Sequence, residues 1–371
     1  MTGPVVLAAG GTGGHLFAAA ALAGELAANG REVHVMTDAR ADAYAARMPG
    51  AEIHNIPAGR LGGGPVRAAI GLAGLAAGTI QARGLLRRLA PAAVVGFGGY
   101  PSLPTMLAAA SLGLPRMIHE QNAILGRANR LLAPRAARIA TGFAETAGLR
   151  AGDRARAVHT GNPVRPAILA LGDIGYAPPA PEGNIGLLVL GGSQGAHILA
   201  EIVPAALARL PPPLRGRLAV SQQARREDLA AVVAAYAASE ISAEVQSFFE
   251  DVPQRLTRAH LVICRAGAST LAELGAVGRP AVLIPYPYAT DDHQTANARA
   301  FAGAGCGRVL VQAGLRPEAL AIELAALLAD GPGLASLASG AASFGRRDAA
   351  RRLAVLALAL ETGAALRECP A

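Results

Sequence analysis

Residues 263–297 read ICRAGASTLAELGAVGRPAVLIPYPYATDDHQTAN and carry the clearest pattern of secondary structure in this chain. An apolar run ends at Arg265, and Leu271, Leu274 and Val277 then recur at helical spacing. A second apolar run breaks at two prolines before a polar patch that opens another helix. The order strand, loop, helix, strand, loop, helix is typical of a parallel α/β sheet, which binds ligands at the carboxyl ends of its strands. We therefore expect a ligand site in this stretch.

The same pattern of strand, glycine turn and helix occurs in both halves of the chain. In the first half, a strand from Val5 to Ala9 precedes the turn 10–15, and in the second half a strand from Ile185 to Leu190 precedes the turn 191–196. A proline-rich segment, 172–183, is the best linker between the halves. The pattern predicts an N-terminal domain over residues 1–163 and a C-terminal domain over 164–345. A terminal helix within 346–371 is expected to cross back to the first domain.

Composition excludes several kinds of chemistry. A chain of 371 residues with 52% hydrophobic residues is long enough for two domains. All 34 basic residues are arginine, so a P-loop lysine and a lysine Schiff base to pyridoxal phosphate are both excluded. The three cysteines, Cys264, Cys306 and Cys369, are scattered, and no Cys/His cluster indicates zinc. We expect no cofactor and no metal.

The positive charge lies in the first half. The net charge is +8, and residues 1–163 hold 16 arginines against 8 acids while residues 164–371 hold 18 of each. This favours an anionic partner such as phosphate groups or a membrane surface, and no basic run interleaved with aromatic residues points to nucleic acid. Pro65 to Leu89 reads as a helix that is either packed in the core with a basic end or lies on a membrane. Its longest uncharged run, 68–82, is too short to span a bilayer, and the N-terminus does not resemble a signal peptide.

Seven motifs occur in the order in which one enzyme family carries them, and together they cover nearly the whole chain. They are GGTGGH at 10–15, GFGGY at 96–100, HEQN at 119–122, GNPVR at 161–165, GGSQGA at 191–196, RAGAST-x-x-E at 265–273 and DDHQTAN at 291–297. The chain resembles the MurG family of N-acetylglucosaminyltransferases, which make lipid II from lipid I in peptidoglycan synthesis. The resemblance implies the GT-B architecture, an α/β fold of two doubly wound Rossmann-like domains facing a cleft.

The resemblance also implies an activity, partners and a location. N-acetylglucosamine would pass with inversion from UDP-N-acetylglucosamine to the 4-hydroxyl of the muramoyl sugar on undecaprenyl pyrophosphate. The enzyme would be a peripheral protein on the cytoplasmic face of the plasma membrane, bound to its anionic surface. It would act in cell wall biogenesis, and through it in cell shape and division, alongside other proteins of cell-wall synthesis.

The resemblance assigns substrate-binding residues by position. Glu273 would hydrogen-bond the ribose hydroxyls of UDP, Ser193 would hold the diphosphate, and Phe249 would read the uracil through its backbone. Gln294, with His293, would contact the donor sugar, and Arg165 would face the diphosphate or the sugar. The remaining predicted substrate-binding residues are Thr12, Gly13, Gly14, Asn122, Ala268 and Ser269. Ala266 stands where the family commonly has serine, which removes one hydroxyl from that turn.

Two residues are candidates for the general base that takes the proton of the acceptor hydroxyl. His15 stands at the end of the first glycine turn, and histidine has an ordinary pKa near 6.5, which suits this role. Glu120 is the rival base, with His119 close by, and a structural role in its loop is the alternative for Glu120. We favour His15. The chain has no D-x-D motif, so charge on the leaving UDP would be stabilised by helix N-termini and arginine.

Three other functions compete with this prediction. The first is an NAD(P)-dependent oxidoreductase, which requires a G-x-G-x-x-G turn that neither glycine loop supplies, although Asp38 lies at a plausible distance. The second is another GT-B enzyme, such as a UDP-N-acetylglucosamine 2-epimerase or a transferase with a soluble acceptor. The third is a nucleotide-sugar-binding protein without activity, against which the complete motifs argue.

Overall fold

The computed structural model describes residues 3–10, 13–38, 48, 50–59, 64–171, 174–192 and 195–362. The chain forms two compact units. Unit 1 comprises Met1–Arg165 and Arg346–Ala371, and unit 2 comprises Pro166–Gly345. The C-terminal segment therefore groups with the first half of the chain.

Unit 1 is built on a seven-stranded parallel sheet. Its strands are β1 Val5–Ala8, β2 Val33–Thr37, β3 Ala51–Asn55, β4 Ala93–Gly96, β5 Arg116–Glu120, β6 Arg138–Thr141 and β7 Ala157–His159. Their order is β3-β2-β1-β4-β5-β6-β7, and Val5 pairs with Val33 on one side and Ala93 on the other. All four residues of β1 are buried, as expected for a strand that is covered on both faces.

Helices cover both faces of this sheet. They are α1 Gly13–Ala28, α2 Pro65–Leu89, α3 Ser102–Ser111, α4 Arg127–Leu132, α5 Ala151–Arg154 and, from the end of the chain, α15 Ala349–Thr362. Val5 and Leu7 pack with α1 and α15 in one core, whereas Val6 and Ala8 pack with α2, α3 and α4 in another. The alternation follows from the two-residue period of a strand.

Unit 2 is built on a six-stranded parallel sheet. Its strands are β8 Ile185–Leu190, β9 Leu218–Gln223, β10 Ser242–Gln246, β11 Leu261–Cys264, β12 Ala281–Leu283 and β13 Gly307–Val309, in the order β10-β9-β8-β11-β12-β13. Its helices are α6 Pro166–Leu169, α7 His197–Leu207, α8 Pro212–Arg215, α9 Leu229–Ala238, α10 Val252–Arg258, α11 Ala268–Val277, α12 His293–Gly303, α13 Pro317–Ala329 and α14 Gly331–Phe344.

The two sheets place four of the sequence motifs at comparable points. The strand order reverses between β1 and β4 in unit 1 and between β8 and β11 in unit 2. The loops that follow these four strands are the glycine turns and the Arg265 turn. In an open parallel sheet, the loops on either side of such a reversal splay apart and leave a crevice for a ligand. Each unit therefore carries its motifs where its own topology forms a binding site.

Most predicted strands lie where the sequence placed them, with three informative differences. β5 extends through Glu120, so the first half of the HEQN motif belongs to the strand and not to the loop. The helix predicted to open at Asp291 begins at His293, after a 3-10 turn over Thr290–Asp292. β13 was not predicted, because three residues with Arg308 at the centre give no apolar run.

Candidate functional site

Arg265 ties together the two strand-end loops in which the sequence places a ligand site. Its Nη1 donates hydrogen bonds to the carbonyl oxygens of Ile284 at 2.9 Å and Pro285 at 3.0 Å. Its guanidinium also lies 5.4 Å from the centre of the Tyr286 ring. The arginine is buried, and this burial lowers its pKa. The loop after β11 and the loop after β12 are thus held together by one charged side chain.

Two amides of α12 complete this connection. The Oε1 atom of Gln294 accepts hydrogen bonds from the backbone N–H groups of Ala266 at 3.2 Å and Tyr286 at 3.0 Å. Asn297, which is fully buried, donates from Nδ2 to the carbonyl of Ala266 at 3.1 Å. Because two N–H donors fix the oxygen of the Gln294 amide, its nitrogen is the end that can donate to a ligand.

Helix α11 begins directly after the Arg265 turn. Ala268 and Ser269 are its first residues, so the backbone N–H groups of its first turn have no partner within the helix and are suited to an anion. Leu271, Leu274 and Val277 are buried, as their spacing predicted. Glu273 is half-buried on the same helix. Glu273, predicted to contact the ribose, therefore lies on the same ten-residue helix as the predicted substrate-binding residues Ala268 and Ser269.

The turn before α12 has an unfavourable backbone. Asp291 and Asp292 have φ values of 53° and 52°, in the left-handed region that costs an L-residue about 1–2 kcal/mol. Such strain concentrates at functional sites, because the surrounding structure must impose it. His293 follows this turn, and its Nδ1 lies 2.8 Å from the carbonyl of Thr290. Nδ1 therefore carries the proton, and Nε2 is the acceptor when the ring is neutral.

Phe249 is a buried aromatic and does not present its ring to a ligand. The guanidinium of Arg255 lies 3.9 Å from the ring centre, and Arg255 is itself held by Glu244, Asp251 and Ser221. Hydrogen bonds from Arg255 lower the pKa of Glu244 and of Asp251. This network fixes the backbone around Phe249, and the uracil contact assigned to that backbone stays a prediction.

The first glycine turn of unit 1 positions His15. The Nδ1 atom of His15 lies 3.0 Å from the carbonyl of Gly10, so Nδ1 carries the proton and Nε2 has the lone pair. Gly99 of the second glycine turn has φ 73°, and a Cβ there would lie 2.9 Å from the same carbonyl and 3.2 Å from Nδ1 of His15. The two turns meet at His15, and this close approach requires glycine at 99.

Glu120 is a structural residue. Its Oε1 accepts hydrogen bonds from the backbone and side chain of Asn122, at 2.9 and 3.1 Å, and its Oε2 accepts from the backbone of Gly126 and the side chain of Asn129, both at 2.9 Å. Glu120 is only 2% exposed. The four donors occupy both carboxylate oxygens, so neither oxygen is left with a position for the hydroxyl of an acceptor. The prediction of Glu120 as the rival base does not fit this geometry.

His119 is a neutral structural residue next to Glu120 and the residues that donate hydrogen bonds to it. It is fully buried, with Nε2 3.2 Å from the carbonyl of Gly161 and Nδ1 3.1 Å from the amide of Gln121. Burial, opposed by the hydrogen bond to Gly161 and assisted by the charge of His15, lowers the pKa of His119 to about 4. Each ring nitrogen has one partner that suits the neutral form, so His119 holds the loop and does not move protons.

We expect His119 to make stability depend on pH. In the unfolded chain the imidazole takes a proton below about pH 6.5, whereas in the folded protein it does so only below about pH 4. Stability therefore falls as the pH falls through this window, by up to about 3 kcal/mol. Urea unfolding at pH 5.0 and 7.5 measures the difference, which should be smaller in His119→Gln. An equal pH dependence in both proteins would contradict this role.

The remaining predicted residues divide between described and undescribed positions. Arg165 is half-buried, and its guanidinium lies 5.8 Å from the ring centre of Phe17 in α1. Asn122 donates a hydrogen bond to Glu120. Gly13 and Gly14 form the first turn of α1. Thr12 and Ser193 lie outside the described residues. Sequence reasoning missed Asn129 and the connecting role of Arg265, since neither is marked by a spacing pattern.

Comparison with known proteins gives matches over nearly the whole chain. The model of the glycosyltransferase family 28 N-terminal domain matches residues 5–141, and that of the family 28 C-terminal domain matches residues 186–353. A protein of Rhodospirillum centenum is 56% identical over 95% of this chain and 93% of its own length. One of Paramagnetospirillum magneticum is 52% identical over 97% and 98%. Both are named UDP-N-acetylglucosamine–N-acetylmuramyl-(pentapeptide) pyrophosphoryl-undecaprenol N-acetylglucosamine transferase.

Two solved structures resemble this chain, one at 30% sequence identity and one at 14%. The crystal structure of Acinetobacter baumannii MurG has a TM-score of 0.78 and 30% sequence identity, covering 96% of this chain and 99% of that one. A putative UDP-N-acetylglucosamine 2-epimerase from Listeria monocytogenes has a TM-score of 0.67 over the full length of both chains, but only 14% identity. At that identity the second likeness shows a shared fold alone.

Proposed function

The chain belongs to the MurG family of glycosyltransferases, and from this premise we propose the reaction that it catalyses. It transfers N-acetylglucosamine from UDP-N-acetylglucosamine to the 4-hydroxyl of N-acetylmuramyl-pentapeptide pyrophosphoryl-undecaprenol, with inversion at the anomeric carbon, and so makes lipid II from lipid I. The predicted family resemblance and GT-B fold are confirmed by the comparisons. The observation that carries the proposal in the structure is the pair of strand-end loops joined by Arg265, Gln294 and Asn297.

Unit 2 binds the donor. The first turn of α11 faces the diphosphate with unpaired backbone N–H groups, which also stabilise the charge that develops on the leaving UDP. Glu273 accepts hydrogen bonds from the ribose hydroxyls. The amide nitrogen of Gln294 donates to the donor sugar, while its oxygen keeps the loops after β11 and β12 in place.

Unit 1 supplies the base. The Nε2 atom of His15 takes the proton of the acceptor 4-hydroxyl as that oxygen bonds to the anomeric carbon. The bond from the anomeric carbon to the diphosphate oxygen breaks, and UDP leaves with the electron pair. The carbonyl of Gly10 holds Nδ1–H and so sets the tautomer that makes Nε2 basic.

The reaction is tested by transfer of radiolabelled N-acetylglucosamine from UDP-N-acetylglucosamine to a lipid I analogue. We expect labelled disaccharide-lipid and one UDP for each sugar transferred. Formation of UDP-N-acetylmannosamine without an acceptor would instead indicate a 2-epimerase. UDP release with a soluble sugar but no transfer to the lipid I analogue would indicate a different acceptor. Either result would overturn the proposal.

Gln294→Glu separates the two functions of the Gln294 side chain. A glutamate keeps an oxygen that accepts from the N–H groups of Ala266 and Tyr286, but it loses the amide nitrogen that donates to the sugar. We expect KM for UDP-N-acetylglucosamine to rise about tenfold, which corresponds to one lost hydrogen bond of about 1.5 kcal/mol. Thermal stability should change little. Steady-state kinetics and a melting curve measure both.

Gln294→Ala is the matched comparison. It removes both ends of the amide, so the two backbone N–H groups also lose their acceptor, and stability should fall together with donor affinity. If Gln294→Glu bound the donor as wild type does, the amide nitrogen would have no part in sugar recognition.

We also propose that α2 places the enzyme on the cytoplasmic face of the plasma membrane. Val66, Ile70 and Ile80 lie on one side of this helix and are 72%, 67% and 73% exposed. Ala82 and Leu86 lie on the opposite side and are buried in unit 1. The helix is thus apolar towards solvent as well as towards the core. Such a face is suited to the headgroup region of a lipid bilayer.

The basic residues of α2 fit this orientation. Arg87 and Arg88 are exposed in the last turn, where they can meet anionic headgroups. Arg83 has another role, because its guanidinium donates a hydrogen bond to Ser111 on α3. The helix backbone approaches Pro57 closely at Gly78, where a Cβ would lie 1.9 Å from the carbonyl oxygen of Pro57. That close contact anchors the helix along unit 1.

By length and composition, Val66–Leu89 is also long and apolar enough to cross a membrane, and the bent pair Pro317–Ala329 with Gly331–Thr362 is a second candidate. Core helices of soluble proteins meet the same criteria. The contact of Ala82 and Leu86 with the core of unit 1 favours a helix that lies on the surface of the bilayer.

Binding to vesicles tests this location. We expect Ile70→Ser with Ile80→Ser to weaken binding to vesicles that contain anionic lipid by about tenfold, through lost apolar burial. Arg87→Glu with Arg88→Glu should weaken it by more than about tenfold at low salt, at about 1 kcal/mol for each basic residue lost. Cosedimentation with vesicles measures both. Ile322→Ser, at an equally exposed isoleucine of unit 2, should change nothing. Equal binding by all three variants would contradict the proposal.

The wider role follows from the proposed reaction. Lipid II carries the disaccharide from which peptidoglycan is built, so the enzyme would support cell shape and division and work beside other proteins of cell-wall synthesis. Depletion of the protein should cause accumulation of lipid I, followed by rounding and lysis of the cells. Normal growth and shape after depletion would contradict this role.

A further inference from the structure

We propose that His34, Glu52 and His54 form a binding site for a divalent transition metal of the zinc class, at the edge of the unit 1 sheet. One potential ligand atom from each of these side chains lies within 4.8 Å of the other two. The cluster, which we call the edge site, lies on β2 and β3, apart from the glycine turns to which the reaction is assigned. The inference does not depend on the proposed function.

Strand pairing brings the three residues together. β2 and β3 run parallel, with His34 directly opposite Glu52. His54 follows Glu52 by two residues, so the strand period places both on the same face of the sheet. The arrangement rests on regular backbone, which holds ligands more rigidly than a loop does.

The distances suit a tetrahedral ion. Nδ1 of His34 lies 2.9 Å from Nε2 of His54. Oε2 of Glu52 lies 3.6 Å from the first of these nitrogens, and Oε1 of Glu52 lies 3.6 Å from the second. A tetrahedral zinc ion with ligands at about 2.0–2.1 Å holds any two of them about 3.3 Å apart. The observed separations lie on either side of this value. Glu52 is largely exposed and His54 is partly exposed, so both side chains have room to adjust.

Glu32 fixes the tautomer that a metal needs. Its carboxylate lies 3.0 Å from Nε2 of His34, so Nε2 carries the proton and donates it to Glu32. Nδ1 of the same ring then has its lone pair directed at His54 and Glu52. A carboxylate behind a ligating histidine is the usual support of zinc sites, and it raises the basicity of the ligand. His34 itself is 2% exposed, so its orientation is fixed by packing.

Three protein ligands leave one tetrahedral position for water, and the water and the exposed Glu52 give the ion access from solvent. The ion would join β2 to β3, which is the edge strand of the sheet. β3 leads into Ile56 and Pro57, which contact α2 through Ala82 and Gly78. The edge site would therefore stabilise the side of unit 1 that carries the apolar helix.

Titration of the metal-free, tag-free chain with ZnCl₂ in a calorimeter tests the edge site. We expect one zinc ion for each chain, and weakening of at least about tenfold in Glu52→Gln and in His54→Gln. Glu32→Gln should weaken binding about tenfold without removing a ligand, because the tautomer of His34 is no longer held. Zinc should also raise the melting temperature of the wild type but not of His54→Gln.

Two variants with opposite expectations act as controls. His197→Gln removes another histidine with carboxylate neighbours, Asp228 and Glu201, and should leave the stoichiometry and affinity unchanged. Arg88→Gln should tighten zinc binding, because the guanidinium of Arg88 acts electrostatically on His54 and repels a cation held there. Loss of folding cannot imitate a gain in affinity.

The result that would overturn the edge site is the absence of saturable zinc binding to the wild type. Binding that both Glu52→Gln and His54→Gln leave intact would overturn it equally. In either case the cluster is a pair of histidines that share a proton. The Glu52 side chain is exposed, so Glu52→Gln tests the site without disturbing the core.

Discussion

We expect His15→Ala to lower kcat for transfer to the lipid I analogue by about 10²–10⁴-fold, the usual contribution of a positioned general base. The Kd for UDP-N-acetylglucosamine should stay within about twofold, because the donor contacts are assigned to unit 2. The reason is geometric. The carbonyl of Gly10 holds the proton on Nδ1 of His15, so Nε2 is the basic atom of the ring. The substitution by alanine removes that atom. Steady-state kinetics and donor titration measure the two constants.

The pH profile of the wild type strengthens this test. Its kcat should fall as the pH falls and the base becomes protonated, and the residual rate of His15→Ala should lose that dependence. Added imidazole should restore part of the rate in the variant. Wild-type turnover in His15→Ala would remove His15 from the mechanism, and a loss of donor binding equal to the loss of kcat would make it a structural residue.

Glu120→Gln distinguishes a role of Glu120 as the general base from its role as the acceptor of four hydrogen bonds in its loop. Glutamine cannot accept all four hydrogen bonds that the carboxylate accepts from Asn122, Gly126 and Asn129. We attribute any loss in this variant to stability of the loop. The pH profile that depends on His15 should therefore persist, with its shape unchanged.

The sequence predicted the strands well where a short apolar run marks them. The strand Ile185–Leu190 has its predicted bounds, and the apolar run that ends before Arg265 forms the strand Leu261–Cys264, because a short apolar run that ends at a glycine or an arginine has few other interpretations. Prediction failed at Gly307–Val309, where pairing with β12 makes a strand from residues without a strand pattern. Tertiary pairing supplies there what local sequence lacks.

Side-chain roles were harder to predict, for a physical reason. The donors that hold Glu120 come from residues two, six and nine positions later, and the HEQN motif alone does not reveal that arrangement. The edge site shows the same limit. A search for metal-ligand spacing in the sequence found none, because His34 and Glu52 become neighbours only when β2 and β3 pair in parallel. The sequence-based expectation of no metal is the one that the proposal revises.

The second large effect is expected at Arg265, and Arg265→Met tests it. Methionine fills part of the space but leaves the carbonyls of Ile284 and Pro285 without their donor. A hydrogen bond to a charged donor contributes about 1.5–3 kcal/mol, so stability should fall by about 3–5 kcal/mol. KM for UDP-N-acetylglucosamine should rise at least about tenfold, since the loops after β11 and β12 are no longer joined. Urea unfolding and donor kinetics measure both effects.

Two further variants show whether the geometry or the charge of Arg265 matters. Arg265→Lys keeps the charge, but an ammonium group cannot reproduce the planar contact with Tyr286 together with both carbonyl bonds, so most of the loss should remain. Arg299→Met, at an exposed arginine on α12, should change stability by less than about 0.5 kcal/mol. Recovery of donor affinity in Arg265→Lys would mean that charge alone holds the site. The assignment of Arg265 as the connection between the two loops would then fail, and the donor would have to be bound chiefly through α11 and α12.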